Sequence, residues 1–127
     1  MKKMIFMAIV SYKDLIVWQR SMELAENIYS ITKCFPPSEL YGLTLQMRRA
    51  AVSIPSNIAE GYQRSTTKEY LHFLSIARGS AAELETQTLL AKNIFKNINF
   101  IKTEALLLET QKMLTILVKS LKNIANP

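Results

Sequence analysis

Apolar residues recur every three or four positions along most of this chain, and only three glycines and four prolines interrupt its 127 residues. That spacing lays one apolar face along a helix, whereas strands would need turn residues far more often. Four helical segments are predicted. The first starts after Asp14, a candidate N-cap, and runs to about Thr32, because Pro36 and Pro37 forbid helical geometry just before them. Ser38 is expected to open the second, with Leu40, Leu43, Met47, Ala50, Ala51, Ile54, Ile58 and Gly61 on one face. Pro55 lies inside it and removes a backbone donor. The stripe continues in phase beyond it, so a bend rather than an end is expected.

Thr66 and Glu69 match a Thr-x-x-Glu capping box ahead of the third helix. Its stripe is Tyr70, Phe73, Leu74, Ala77, Ala81, Leu84, Thr88, Ala91 and Phe95. Gly79 and Ser80 fall mid-helix, the glycine at a cost of about 1 kcal/mol relative to alanine, and a close helix crossing is the expected compensation. Thr103 or Asn99 caps the last helix, whose stripe is Leu106, Leu107, Thr110, Met113, Leu114, Leu117, Val118, Leu121 and Ile124. Four helices with short loops predict an all-α fold, an antiparallel up-down-up-down four-helix bundle. Residues 11–127 form the domain, and residues 1–10 a loose or oligomer-packed N-terminal arm.

The apolar surface exceeds what one such interior absorbs. On the first helix it covers about half the circumference, wider than one core contact requires, and the surplus centres on Val17, Leu24, Ile28 and Ile31. Leu108 and Ile116 lie off the last helix's stripe. Self-association of copies is the expected remedy.

Sixteen basic against ten acidic side chains leave a net charge of +6, a bias toward polyanions such as RNA, DNA or anionic headgroups. The single cysteine, Cys34, has no internal disulfide partner, which fits a reducing cytoplasm. Lys2 and Lys3 precede a short apolar run, Met4–Val10, that faintly resembles a secretion signal. No small-residue cleavage pattern follows, and the run is far shorter than the roughly 20 residues of a membrane span.

No residue pattern in the chain argues for catalysis. Glu69-x-x-His72 has the spacing of di-iron bundles, but such a site needs two of these motifs and further inward carboxylates, and the chain has one histidine. An exposed surface pair is the better reading. Cys34 lacks an orienting third group and reads as a small, buried or half-buried residue. No Gly-rich phosphate loop, Gly-x-Ser-x-Gly elbow or zinc-type cysteine pair occurs. No cofactor, metal or small-molecule substrate is expected.

The informative charges lie beside the core stripes. Arg49, Ser53, Ser56 and Glu60 occupy the far side of the second helix, while Arg48 flanks its stripe with Tyr41 and Val52. On the third helix, Arg78, Glu85 and Lys92 recur every seven residues, with Leu71 and Leu89 on the same line. Such a ladder reads either as a solvated face with weak ion pairs or as the polar border of a subunit interface that sets register. The second reading is preferred.

The runs Asp14–Gln19, Gln46–Gly61 and Phe73–Gln87, in that order, resemble the bacterial intervening-sequence four-helix-bundle proteins. The likeness extends from about Ser11 into the last helix and departs at residues 1–10. It implies a ring-like assembly, typically a homopentamer, without enzymatic activity. Members are encoded within inserts of large-subunit ribosomal RNA genes or by free-standing genes, and some carry a ribosomal-protein label. The family is also similar to the accessory protein of diversity-generating retroelements, a basic pentamer that engages a reverse transcriptase and nucleic acid. The matching polar positions are Arg48, Arg49, Asn57, Glu60, Arg78, Glu83 and Glu85.

Two functions therefore compete. One is a homo-oligomeric scaffold that associates with RNA or DNA through Arg48, Arg49, Arg64 and Lys68, with Tyr12, Tyr41 and Tyr62 available for stacking. The other is a protein–protein adaptor whose charge is incidental. In both, Val17, Leu24, Ile28, Ile31, Arg78, Glu85, Leu108 and Ile116 are the expected subunit-interface residues.

Overall fold

The computed structural model describes residues 10–125, and all their regular elements are helical: two short 3-10 turns and four α-helices. We label the latter α1 (Ile16–Thr32), α2 (Leu43–Tyr62), α3 (Thr67–Ile94) and α4 (Ile101–Ala125). Apart from Val10, the expected N-terminal arm lies outside the described residues.

The entry to α1 differs from expectation. Asp14 does not cap the helix; it closes a 3-10 turn, Tyr12–Asp14, by accepting the backbone N–H groups of Val10 (2.8 Å) and Ser11 (3.1 Å). Ser11 completes this capping box by accepting from Lys13 N, and α1 begins after Leu15 with no side-chain cap. Nor does Ser38 open α2. Proline fixes φ near the 3-10 and α values, and Pro37–Glu39 forms a separate turn. Helix α2 starts after Gly42, with the Glu39 carboxylate accepting from Leu43 N, and continues through Pro55 to Tyr62.

Thr66 caps α3 by accepting from Glu69 N at 3.1 Å. Its hydroxyl also lies 3.2 Å from the Glu69 carboxylate, so the pair meets directly instead of completing the reciprocal box. For α4, Asn99 takes the capping role by accepting from Ile101 N (2.9 Å). Thr103 is instead fully buried and donates to Asn27 of α1 (2.6 Å).

Each helix packs on two others: α1 on α2 and α4, and α3 on α2 and α4. Leu24, Ile28, Met47, Ile54, Ile58, Leu74, Leu84 and Leu114 are the largest apolar side chains fully enclosed between them. The expected stripes of α2, α3 and α4 supply this core, except that Leu40 and Ile124 are exposed. Helices α2 and α3 share the most extensive contact, and small residues allow it. The Ser53 and Ser80 hydroxyls bond at 2.7 Å. A Cβ at Gly61 would stand 3.0 Å from Phe73 Cβ, 3.0 Å from Tyr70 Cδ1 and 3.2 Å from Tyr70 O.

Gly79 was expected to mark a close crossing and does not: it is exposed, and a Cβ there would meet nothing within 4 Å. The close approach occurs one residue on, at Ser80, and at Gly61. Cys34 is likewise exposed and not sheltered, because it follows the last turn of α1 while Phe35 takes the inward position against Phe95 and Phe100.

Candidate assembly and nucleic-acid surface

Three of the expected interface residues are not available to a neighbour. Val17, Leu24 and Ile28 are buried in the protomer core, and Ile31 is half-buried against it. The wide apolar arc of α1 is absorbed because that helix touches α2 on one side and α4 on the other. What α1 leaves exposed is a different row, Met22 and Tyr29, beside the half-buried Trp18. With Val52, Pro55 and Ala59 of α2 these line an apolar groove of about 590 Å³.

Of the other expected interface residues, Arg78, Glu85 and Leu108 lie along the seam between α3 and α4, whereas Ile116 is exposed on the outer side of α4. In that seam Leu89 is 50% exposed and Leu108 52%, and Ile116, outside it, 65%. Leu89, Leu108 and Glu85 line one depression in this seam and Arg78, Ala82 and Thr115 line the next, whereas Ile116 borders, with Lys112, a shallow one formed by α4 residues alone. The first two, about 200 and 230 Å³, are too small for a typical ligand pocket and suit interlocking side chains. At one end Lys92 closes the seam by donating to both oxygens of Glu104 (3.0 and 3.1 Å). The charge ladder of α3 thus shares this seam with Leu108 of α4.

The expected nucleic-acid contacts do not form one patch. Arg48 is half-buried: its Nε donates to Thr32 Oγ1 (2.9 Å) and its guanidinium lies 4.6 Å from the centre of the Tyr29 ring. It pins α2 to α1. Arg64 pairs with Glu60 (3.2 Å) and stacks over Phe73 (4.7 Å). Among the described residues no ion pair involves Arg49 or Lys68, both exposed. They sit on different helices, Arg49 within α2 and Lys68 in the first turn of α3. Of the candidate stacking residues, Tyr41 is 86% exposed. Tyr12 and Tyr62 instead pack edge-on against Trp18 and Tyr70.

Sequence reasoning missed the lysines of α4. Both acids of this helix are engaged, Glu104 by Lys92 and Glu109 by Arg20 Nε (2.7 Å). The latter hydrogen bond, then its charge attraction, raises the arginine's pKa further. Lys102, Lys112, Lys119 and Lys122 are exposed, and no ion pair among the described residues involves them. The signal was present in the sequence as lysines spaced along the outer side of the last stripe, but their acidic neighbours on that helix disguised it.

Other sequence-selected positions are structural or unengaged. Asn57 donates to Ser53 O (2.8 Å) within α2. Glu69 and His72 are both exposed, as are Glu83 and Ser56. Among the described residues no group of three or more His, Cys, Asp or Glu side chains is placed to hold a metal ion, and no helix is long and apolar enough to cross a membrane.

A comparison with curated proteins finds no match. The family model described as 23S rRNA-intervening sequence protein matches residues 13–118, a span that takes in all of α1, α2 and α3 and most of α4, and the chain belongs to that family.

Proposed function

We propose that this chain is a non-enzymatic, basic scaffold of the cytoplasm, an antiparallel up-down-up-down bundle that assembles head to tail into a ring, in all five copies, and associates with RNA or DNA. The observation that carries the assembly is the α3–α4 seam, where Leu89 and Leu108 stay half exposed beside Arg78 and Glu85, with Ile116 exposed on the outer side of α4. Apolar side chains gathered on one face and edged by charge are the make-up of a specific interface. The antiparallel reading rests on pairs whose numbers run in opposition: Arg20 with Glu109 and Asn27 with Thr103, Ser53 with Ser80 and Gly61 with Phe73.

A ring requires two different faces on each copy. The outer row of α3 supplies the second: Ile76 and Leu90 are exposed on either side of Gly79. A mid-helix glycine that relieves nothing inside its own protomer makes sense where a neighbour's helix passes close.

Nucleic-acid association rests on the +6 charge, on the exposed α4 lysines, Arg49 and Lys68, which form no ion pair among the described residues, and on the ribosomal RNA named in the family's description. Five copies multiply that charge, so binding should be tight at low salt and fall steeply as salt rises. The test joins light scattering to gel shifts with structured RNA. The wild-type chain is expected to run as a pentamer and to shift RNA at about 50 mM salt. Leu108→Glu with Ile116→Glu should give a folded monomer, and Lys112→Gln, Lys119→Gln and Lys122→Gln together should keep the ring but weaken the shift. A monomeric wild type would reject the assembly, and an absent shift would reject the nucleic-acid role.

One observation favours the adaptor reading: four of the cations, Arg20, Arg48, Arg64 and Lys92, are spent on contacts within the protomer. A partner recovered from nuclease-treated extract, with no RNA shift, would support it.

A further inference from the structure

The groove between α1 and α2 shares no lining residue with the α3–α4 seam. At about 590 Å³ it is the largest of the described depressions, and it falls within the roughly 300–1,000 Å³ of small-molecule sites. Its walls are mostly apolar, and three of their side chains stay open to solvent: Met22 is 37% exposed, Val52 42% and Tyr29 44%. Apolar surface gathered in one concavity, unlike single scattered residues, marks a place where something binds. The rings of Tyr12 and Trp18 meet edge-on there, 5.4 Å apart and 68° to one another, so they form an aromatic corner.

Charge selects the occupant. The chain carries sixteen basic side chains against ten acidic ones, yet no basic side chain among the described residues lines this groove, and its one charged residue is Glu26. Glu26 is exposed and joins no ion pair among the described residues. Ser56 adds a hydroxyl from the α2 wall. A carboxylate beside aromatic rings draws a cation twice over, by direct charge and by the negative faces of the rings. At the Tyr29 end the Arg48 guanidinium already lies over that ring, 4.6 Å from its centre. A positive centre is therefore best placed at Glu26, with the rest of the ligand running away from Arg48 towards Trp18. Trp18 and Glu26 are eight residues apart on α1, roughly 12 Å at 1.5 Å per residue. We propose that the groove binds a hydrophobic organic monocation, an alkyl- or arylammonium whose charged nitrogen pairs with Glu26 and whose apolar body lies along Met22 to the Tyr12–Trp18 corner. The site is complete within one protomer, so it depends on neither the assembly nor the nucleic-acid role proposed above.

Trp18 is the only tryptophan, which makes its fluorescence a reporter of this groove. Decylammonium chloride, kept below its micelle concentration, is titrated into the full chain, with decyl sulfate as an anion of equal chain length. Decylammonium should give a saturable blue shift of the Trp18 emission, and decyl sulfate should produce that shift with an affinity at least about tenfold weaker. Glu26→Gln, a change at an exposed position, should weaken decylammonium by about tenfold while leaving far-UV circular dichroism unchanged. Ala59→Phe, which places a ring in the groove, should remove the response. Equal affinity for the two amphiphiles, or undiminished decylammonium affinity in Glu26→Gln, would overturn the proposal. So would a Trp18 emission that ignores decylammonium, or one that shifts to the blue on raising the protein concentration alone, which would assign the groove to a second copy.

Discussion

Two glycines with the same helical backbone should respond in opposite directions to one added methyl group. At Gly79 a Cβ meets no atom within 4 Å, so the only effect inside the protomer is the gain in helix propensity, about 1 kcal/mol for Gly→Ala in an exposed helix interior. At roughly 2.1 cal/mol/K of unfolding entropy per residue, that raises Tm by about 4 °C for a chain of this length. At Gly61 the same gain is outweighed. The new Cβ would sit 3.0 Å from Phe73 Cβ and 3.2 Å from the Tyr70 carbonyl oxygen, both fixed to the α3 backbone and unable to swing aside. Overpacking of this kind costs about 1–3 kcal/mol, leaving Gly61→Ala less stable by about 1 kcal/mol. Thermal unfolding by circular dichroism, in the Leu108→Glu, Ile116→Glu background that the proposed assembly predicts to be monomeric, reads both. In the wild-type background, the proposed assembly predicts that Gly79→Ala also lowers self-association by sedimentation. A fall in Tm for Gly79→Ala in the monomer would show that the glycine serves the protomer itself, and the reasoning would fail.

The two neighbouring arginines of α2 should separate structure from binding. Arg48→Gln should cost about 1–2 kcal/mol, because it releases Thr32 and Tyr29, and Arg49→Gln should change stability by less than about 0.5 kcal/mol while weakening RNA association. Urea titration alongside gel shifts checks both; equal stability losses would refute the separation. Tyr70 predicts a pH effect. Burial first, then the neighbouring Tyr62 phenolate, pushes its pKa from 10.0 up to about 12. The unfolded chain therefore loses this proton first, and stability falls as pH rises through the window from about 10 to about 12. Tyr70→Phe should flatten that fall in denaturant titrations across the window, and an unchanged slope would exclude Tyr70 as its source.

The helical fold, its four segments and most of its core could be read from residue order alone, because a 3.6-residue period in apolar positions has only one regular structure to satisfy it. The capping of α3 by Thr66 was equally local. Positions that depend on a neighbouring helix were not legible. The wheel of α1 places Val17, Leu24 and Ile28 on an apolar arc, but it carries no information on whether two helices or one flank that arc, and their burial against both α2 and α4 was settled by packing. Arg48 and Arg49 are alike as letters, yet only Arg48 finds Thr32 and Tyr29 across the α1–α2 contact. The meeting of Leu89 with Leu108 in one seam joins residues far apart in the chain. Sequence determined which faces each helix has; tertiary structure alone decided which of those faces were already covered, since coverage is a property of pairs of helices and not of either one.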